Sequence, residues 1–171
     1  LKTDLSDKLA ATLAYFDITK TNIPTTDPVN RRFSVVTGEV KSRGVELDLS
    51  GEILPGWNII AAYAYTDAFV SQDNSIPVGN RFIFTPRHSF SLWNTYEIQQ
   101  GNLKGLGFGL GLYYVGEREA DLDNSFTVPS YFRTDASIFY RQDNWKAQLN
   151  FQNLFDTEYF VGTNEFRAGG V

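Results

Sequence analysis

Apolar and polar residues alternate along residues 43–53, and this alternation predicts a β-strand with one apolar and one polar face. The apolar parity holds Val45, Leu47, Leu49 and Ile53, and the polar parity holds Glu46, Asp48, Ser50 and Glu52. Successive side chains of a strand point to opposite faces of its sheet. A second alternating segment starts at Trp57, directly after Leu54-Pro55-Gly56. Residues 43–66 therefore predict two strands joined by a tight turn.

The same patterning predicts seven strands and no helix of convincing period. The predicted strands cover residues 8–23, 39–53, 57–69, 88–98, 106–115, 131–140 and 145–151. Short turns alternate with long polar loops, which are predicted at residues 24–38, 70–87 and 116–129. In an antiparallel meander, this alternation places the short turns at one end of the sheet and the long loops at the other. The predicted fold class is an all-β antiparallel meander.

Strand length and loop asymmetry favour a transmembrane β-barrel. Several predicted strands have about 10 to 13 residues, whereas strands of soluble proteins usually have about 5 to 6 and membrane-crossing strands about 9 to 11. Outer-membrane barrels also have short periplasmic turns and long extracellular loops. Antibody-like sandwiches likewise gather long loops at one end. A soluble β-sandwich or a passive barrel, acting as a binding module, therefore stays open as an alternative.

Aromatic residues cluster near both ends of the predicted strands. Trp57 and Trp145 follow short turns, and Tyr96 and Tyr140 shortly precede them. The aromatic residues near the long loops are Tyr65, Phe69, Tyr114, Tyr131, Phe132, Tyr159 and Phe160. Amphipathic rings are enriched at the headgroup level of a bilayer. Two aromatic girdles are therefore predicted, one at each membrane interface.

Composition limits the classes of protein and partner. The chain has 171 residues, which suffices for one domain, and 15% of them are aromatic. Its mean hydropathy is -0.27, but lipid-facing residues of a barrel alternate with polar ones, so a low mean is uninformative for this class. The net charge is -5, which argues against nucleic acid as a partner. Outer-membrane lipid is the predicted partner around the outside of the barrel.

Three segments together resemble the C-terminal part of TonB-dependent outer-membrane receptors of the ferric-siderophore type. They are RGVELDLSGEILPGWNIIAAYAYTDA from Arg43, TPRHSFSLWNTY from Thr85 and NFQNLFDTEYF from Asn150. The NLFD sequence followed by Tyr159 is the most specific of these, and Ser42, Gly44, Glu46 and Gly51 form a supporting S-x-G-x-E-x-x-x-x-G pattern. The resemblance covers nearly the whole chain.

The resemblance implies a 22-stranded barrel occluded by an N-terminal plug domain. Residues 1–171 would form a C-terminal segment of that barrel, without the plug and without the closing strand. The seven strands would be numbers 15 to 21, with residues 1–3 the tail of strand 14. The implied function is import of a ferric siderophore through the outer membrane of a Gram-negative-type bacterium. The TonB complex would act through the absent N-terminal region, and cobalamin, haem or a sugar remain alternative ligands.

Within this resemblance, strand parity assigns each side chain to lipid or to the barrel lumen. The predicted lipid-facing residues are Val45, Leu47, Leu49, Ile59, Ala61, Tyr63, Phe90, Leu92, Leu110, Leu112, Ala136, Ile138, Ala147 and Leu149. The predicted lumenal residues are Glu46, Asp48, Ser50, Asn58, Thr95, Arg133, Asp135, Ser137, Lys146, Gln148 and Asn150. Lumenal charges are expected to pair across strands or to contact the plug.

A ferric siderophore is a bulky chelate, so its site needs aromatic walls with a few hydrogen-bond donors or cations. The candidate substrate-binding residues on the predicted extracellular side are Arg81, Phe82, Arg87, Tyr113, Arg118, Tyr131 and Phe132. Each of them could instead anchor a loop or be a solvated charge. Closure of the loops at residues 71–80 and 116–129 over a ligand is a further hypothesis.

Catalytic and metal-binding signatures are weak in this sequence. The chain has no cysteine, and His88 is its only histidine, so a catalytic triad or a thiolate or histidine metal site has little support. The G-x-S-x-G nucleophile motif is missing as well. Gly107, Gly109 and Gly111 alternate within a predicted strand, and they are interpreted as leaving room inside the barrel or letting the sheet curve. The sequence therefore predicts no enzyme activity, no metal ligands and no cofactor.

Overall fold

The computed structural model describes residues 1–161, most of which form one antiparallel sheet. The strands are β1 (Lys2–Ser6), β2 (Leu9–Thr26), β3 (Ser34–Leu54), β4 (Trp57–Gln72), β5 (His88–Glu97), β6 (Leu106–Val115), β7 (Arg118–Glu119), β8 (Thr127–Val128), β9 (Tyr131–Gln142) and β10 (Trp145–Phe151). Eight of them form the main sheet in the order β1-β2-β3-β4-β5-β6-β9-β10, and β7 and β8 form a small separate hairpin. Within this range, no helix is long and apolar enough to span a membrane.

The predicted all-β antiparallel meander is confirmed. The strands at residues 106–115 and 145–151 have the predicted bounds, and β1 includes residues from the segment expected to be the tail of a preceding strand. Each main-sheet strand pairs with its neighbours in antiparallel register. The numbering of these strands as 15 to 21 of 22 stays a prediction, and part of the predicted loop-like segment after Phe160 lies outside the described residues.

Two predictions about the long loops were wrong. The loop predicted at residues 24–38 is mostly strand, because β2 continues to Thr26 and β3 begins at Ser34. The segment 116–129 contains the two-residue strands β7 and β8 instead of being loop throughout. As a result β2, β3 and β4 have 18, 21 and 16 residues, whereas β5 and β6 have 10 each. One side of the sheet is thus much taller than the other.

The tight turn between β3 and β4 has the predicted position. Pro55 and Gly56 connect the two strands, and Gly56 has a φ of 80°, a left-handed conformation that glycine adopts without strain. The Glu52 carboxylate accepts the Gly56 N–H at 2.8 Å and pairs with the Lys8 ammonium at 2.5 Å. The turn is therefore tied to the neighbouring β1–β2 turn.

The glycines of β6 make room for large side chains on the face that carries Glu46. A Cβ atom at Gly107 would lie 2.1 Å from the Phe139 ring, and one at Gly111 would lie 2.7 Å from the Trp93 ring. Both distances are shorter than van der Waals contact allows. The interpretation that these glycines leave room on the inner side of the sheet is confirmed.

The register places all the residues predicted to face lipid on one face, here called the outer face. Along one row, Leu47 lies opposite Tyr63, Tyr63 opposite Phe90, and Phe90 opposite Tyr114. The residues predicted to be lumenal share the other face, here called the inner face, as in the row that joins Tyr113 to Arg133. Strand parity therefore predicted correctly which residues share a face, while contact with lipid on one face and with a barrel lumen on the other stays a prediction.

Candidate functional site

The polarity of the two faces inverts along the tall strands at a row of charged residues. On the outer face, this row consists of Asp17, Arg43 and Asp67, which lie side by side on β2, β3 and β4. Arg43 and Arg87 both approach the Asp67 carboxylate, at 3.2 and 3.9 Å. We call the sheet between this row and the short turns the lower part, and the sheet beyond it the upper part.

The outer face of the lower part is apolar and bounded by aromatic residues. Val45 and Leu47 are 37% and 45% exposed on this face. Near the charged row, the His88 ring packs against Tyr65 at 5.2 Å and its Nδ1 lies 2.8 Å from the Tyr63 hydroxyl. At the opposite end, Trp145 packs against Tyr140 at 5.7 Å. Aromatic residues thus lie at both ends of this face, as predicted, and His88 is among them. The assignment of Tyr131 and Tyr159 to the girdle near the long loops was wrong, because these two rings stack on each other on the inner face.

The inner face of the lower part holds an open cup of about 440 Å³. Its floor is made of small side chains on β4 and β5, namely Ala62, Ala64, Ser89 and Ser91. Glu46 and Asp48 of β3 form one wall, and Tyr113, Tyr131 and Arg133 form the other. Because the floor is made of small residues, the two walls stand apart and leave space between an acidic side and a side with aromatic and basic groups.

Arg133 organises the aromatic wall of this cup. Its guanidinium lies 4.6 Å from the centre of the Tyr113 ring, within the range of a cation–π interaction. One Nη donates to Asp135 at 3.0 Å and the other lies 3.4 Å from the Tyr159 hydroxyl. Its Nε is buried and has no acceptor among the described residues.

Arg118 contacts the same wall from the side of the long loops. The Tyr131 and Tyr159 rings stack at 4.5 Å, and the Arg118 guanidinium lies 5.8 Å from the Tyr131 ring. Arg118 is only 3% exposed, and one of its Nη groups donates to the main-chain carbonyls of Phe160 and Val161. This arginine therefore fixes the chain after β10 against the wall.

The acidic wall has no compensating cation in the described part of the chain. Neither Glu46 nor Asp48 forms an ion pair with a residue in 1–161, and their neighbours across β4 are Ala64 and Ala62. Charged groups on the inner face usually pair or stay hydrated. Both side chains are exposed, so water can hydrate them, and they give the cup an acidic edge.

Two long loops interlock above the cup, and we call residues 73–87 and 116–130 together the loop layer. Asn124 accepts the Arg81 N–H at 2.7 Å and donates to the Arg81 carbonyl at 3.0 Å. Asn80 donates to the Leu122 carbonyl at 2.8 Å, and the Phe84 N–H donates to the Glu119 carbonyl at 2.9 Å. These bonds join the two loops through main-chain and amide groups.

The loop layer is also tied to the β2–β3 hairpin. Asp73 accepts the Thr25 hydroxyl at 2.7 Å and the Ser75 and Ile76 N–H groups at 2.8 and 3.0 Å. Burial acts to raise the pKa of the Asp73 carboxyl, but these hydrogen bonds outweigh it and lower that pKa below its ordinary value of 3.8. The ionised form of Asp73 therefore holds the hairpin and the loop layer together.

The seven residues predicted to bind substrate fall into three groups. Tyr113 and Tyr131 line the cup, with Arg118 behind them. Arg81 pairs with Glu119 at 3.5 Å inside the loop layer, and Phe82 of the same layer lines the cavity against the upper part of the sheet. Arg87 and Phe132 lie on the outer face, where Phe132 is opposite Tyr114 in the upper aromatic girdle. Substrate binding by any of them stays a prediction.

Sequence reasoning did not assign Tyr159 to this wall and did not single out Lys20 of β2. Tyr159 is part of the NLFDTEYF segment, so its stacking on Tyr131 needed the three-dimensional path after β10. Lys20 lies where the apolar residues of β2 change from one strand parity to the other. No group of three or more potential metal-ligating side chains occurs among residues 1–161.

Comparisons with known proteins identify relatives of this chain. The sequence model of the family described as TonB dependent receptor-like, beta-barrel matches residues 1–154. The metal-pseudopaline receptor CntO of Pseudomonas aeruginosa is 39% identical over 163 residues, which cover 94% of this chain and 23% of the receptor. The ferrichrome outer membrane transporter/phage receptor of Escherichia coli is 36% identical over 156 residues, 88% of this chain and 21% of that protein.

Solved structures agree with these relatives. The siderophore receptor PiuA from Acinetobacter baumannii superposes with a TM-score of 0.81 at 33% identity, over 94% of this chain and 24% of that chain. The ferric-catecholate import receptor Fiu of E. coli superposes with a TM-score of 0.78 at 26% identity, over 94% of this chain and 23% of that chain. This chain thus spans about a quarter of the length of the proteins it matches.

Proposed function

The chain belongs to the TonB-dependent receptor β-barrel family, and we propose that it forms the C-terminal part of the barrel of a receptor that imports a ferric siderophore. This family consists of receptors and transporters of the Gram-negative outer membrane, not of enzymes. The names of the relatives, a metal-pseudopaline receptor and a ferrichrome transporter, support a metal chelate as the cargo.

The inner-face cup is the observation that carries this proposal. A metal chelate is held by aromatic surfaces together with a few hydrogen-bond donors or cations. Tyr113, Tyr131 and Arg133 supply these groups on a single wall beneath the loop layer. The outer face of the lower part would contact outer-membrane lipid, so a chelate would reach the cup from the side of the long loops.

The acidic wall supports a second part of the proposal, a contact with the plug domain. Glu46 and Asp48 have no basic partner in residues 1–161, and both point into the space that a plug would occupy. We infer that basic side chains of the plug pair with this wall. Work delivered by the TonB complex would break that pairing, displace the plug and open the lumen.

The test is uptake of radioactive iron by a bacterium that carries the full-length receptor as its single route for the chelate. Ferric complexes of hydroxamate, catecholate and carboxylate siderophores would be supplied in turn. We expect uptake of at least one class, and we expect deletion of TonB to abolish it. An Arg133→Gln receptor should lose most uptake, whereas Lys146→Gln, another cation of the inner face near the short turns, should keep it. Uptake of haem or cobalamin instead of every ferric siderophore would contradict the proposal.

A further inference from the structure

We propose that the upper part of the sheet binds the apolar group of an amphiphilic ligand, with Lys20 contacting an anionic group of the same ligand. The proposal rests on the function proposed above, because it assigns a chemical class to the chelate that enters from the long-loop side. It concerns a cavity separate from the cup of Tyr113 and Arg133.

The cavity lies between the inner face of β2, β3 and β4 and the loop layer, and its volume is about 420 Å³. Its apolar walls include Ile18, Val40, Ala68 and Val70 from the strands and Phe82 and Leu122 from the loops. Val70 is only 3% exposed and Ala68 only 8%. Ile18 and Phe82, by contrast, are 58% and 37% exposed. The cavity therefore has a buried floor on β4 and an open side at Ile18 of β2.

Hydrogen bonds hold the cavity open. The Phe82 N–H donates to the Ala68 carbonyl at 2.8 Å, and the Val70 N–H donates to the Asn80 carbonyl at 2.8 Å. The loop backbone is therefore fixed at the cavity edge by main-chain bonds, and Asn124 and Asp73 fix its other ends. An apolar group that covers the apolar walls of this cavity is stabilised because apolar surface is removed from water. A volume of this size falls within the usual range of ligand pockets, about 300 to 1,000 Å³.

The charged residues at the cavity indicate which polar group the ligand carries. Three charged residues line it, namely Lys20, Glu39 and Asp73. Glu39 contacts Lys41 at 3.6 Å and accepts the Ser71 hydroxyl at 2.8 Å, and Asp73 is occupied by the Thr25 hydroxyl and two N–H groups. Lys20 has no such contact within the described residues. The free charge at the cavity is thus positive and suits a carboxylate or another anionic group.

The two cavities lie along the same strand, so one ligand can contact both. Ser42 lines the upper cavity and Glu46 lines the cup. Four residues of extended strand separate them, which corresponds to about 13 Å. A chelate with an acyl or aryl arm of this reach would place its metal-binding group in the cup and its arm in the upper cavity.

The test uses an eight-carbon fatty acid with a photoreactive diazirine and the matching uncharged amide, on full-length receptor in lipid nanodiscs. We expect the acid to label residues of the upper inner face and the loop layer, with Leu122 among them. Ala68→Phe should abolish this labelling because its ring fills the cavity. Ala61→Phe, the same substitution on the outer face of the same strand, should leave labelling intact. Lys20→Gln should weaken labelling by the acid and leave labelling by the amide unchanged.

Labelling confined to outer-face residues, or labelling of the cavity that Ala68→Phe does not change, would overturn the proposal. Equal labelling by acid and amide in the unmodified receptor would overturn the role of Lys20. These outcomes are separate from the iron-uptake test. A receptor that imports a ferric siderophore but fails to label in the cavity keeps the proposed function and loses this inference.

Discussion

The lower and upper parts of the sheet are built from the same strands, yet they have opposite polarity. In the lower part, Leu47 faces outward and Glu46 inward. In the upper part, Lys41 faces outward and Val70 inward. The change occurs at the row of Asp17, Arg43 and Asp67. This distribution is the one expected if the outer face of the lower part meets lipid and the outer face of the upper part meets water, because lipid requires apolar side chains and water accepts charged ones.

Strand length agrees with this division. β5 and β6 exist only in the lower part, and each has 10 residues, which is the length needed for a strand to cross a bilayer, about 9 to 11 residues. β3 has 21 residues, so about half of it projects beyond the charged row. The upper part needs a core of its own, and the loop layer supplies it. We therefore interpret the charged row as the outer boundary of the membrane.

The largest expected effect comes from placing a charge on the outer face of the lower part. Leu47→Arg should destabilise the full-length receptor by about 2 to 4 kcal/mol, as arginine does near the midplane of a membrane barrel. Thr19→Arg lies on the outer face of the upper part and should have little effect, because its side chain meets water. Urea unfolding in lipid vesicles measures both changes. Equal stability of the two variants would contradict the assignment of the lower outer face to lipid and the upper outer face to water.

A charge on the inner face of the upper part should open the loop layer without affecting the lower part. Val70→Asp buries a carboxylate at a position that is only 3% exposed, with Val40 between it and Lys20 in the same row, and a buried polar group without a direct hydrogen-bond partner costs about 1 to 3 kcal/mol. Thr19→Asp is the matched control, since it lies opposite Lys41 on the exposed face. Hydrogen exchange followed by mass spectrometry should show faster exchange in residues 73–87 for Val70→Asp alone. Faster exchange in β5 as well would mean that the two parts unfold together.

A smaller effect is expected at the junction between the two long loops. Asn124→Ala removes the amide that bonds the Arg81 N–H and carbonyl, and each such bond contributes about 1 kcal/mol. We expect faster proteolysis within 116–130 and unchanged stability of the lower part. Ser125→Ala is a suitable control, because its hydroxyl bonds Asp121 within the same loop. Unchanged proteolysis would indicate that packing alone holds the loop layer together. The hypothesis that the loops close over a ligand would then be favoured.

The smallest effect is a dependence on pH in the upper part. Hydrogen bonds lower the pKa of Asp73 below 3.8, so its contribution to stability is fully present above that pH and is lost as pH falls through the lower, folded-state pKa. Hydrogen exchange in 73–76 should therefore accelerate in acid more steeply than exchange in β5. Asp73→Asn should flatten that dependence. A variant with the same pH dependence as the unmodified receptor would show that another group is responsible.

The alternation of residues predicted the lower part well and the upper part poorly. Alternation in residues 106–115 is unbroken, and the strand was predicted with correct bounds. In β3 the apolar positions change parity above Arg43, from Val45 to Val40, although the register with β4 stays regular between these two residues and shifts only between Glu39 and Val40. Residues 34–38 directly follow a polar segment that contains Pro24 and Pro28, so the sequence alone predicts them as part of the same loop.

The candidate site was predictable only in part for a similar reason. Tyr131 and Phe132 are adjacent, so in a strand they cannot share a face, and the structure places only Tyr131 on the inner wall. The stacking of Tyr159 on Tyr131 and the cavity beside Lys20 depend on how the loops fold back on the sheet. Local sequence patterns carry no information about such long-range packing.

The central claim, that a membrane boundary lies at the charged row, is tested most directly by spin labels placed singly along β3. Residues 1–171 contain no cysteine, so single cysteines at residues 41, 45, 47 and 49 can carry the label in a full-length receptor from which any cysteine outside this segment has been removed, reconstituted in lipid. We predict that labels at 45, 47 and 49 are accessible to oxygen dissolved in lipid and shielded from a water-soluble nickel complex, with the reverse at 41. Access of the nickel complex to all four positions would contradict the account and favour a soluble β-sheet.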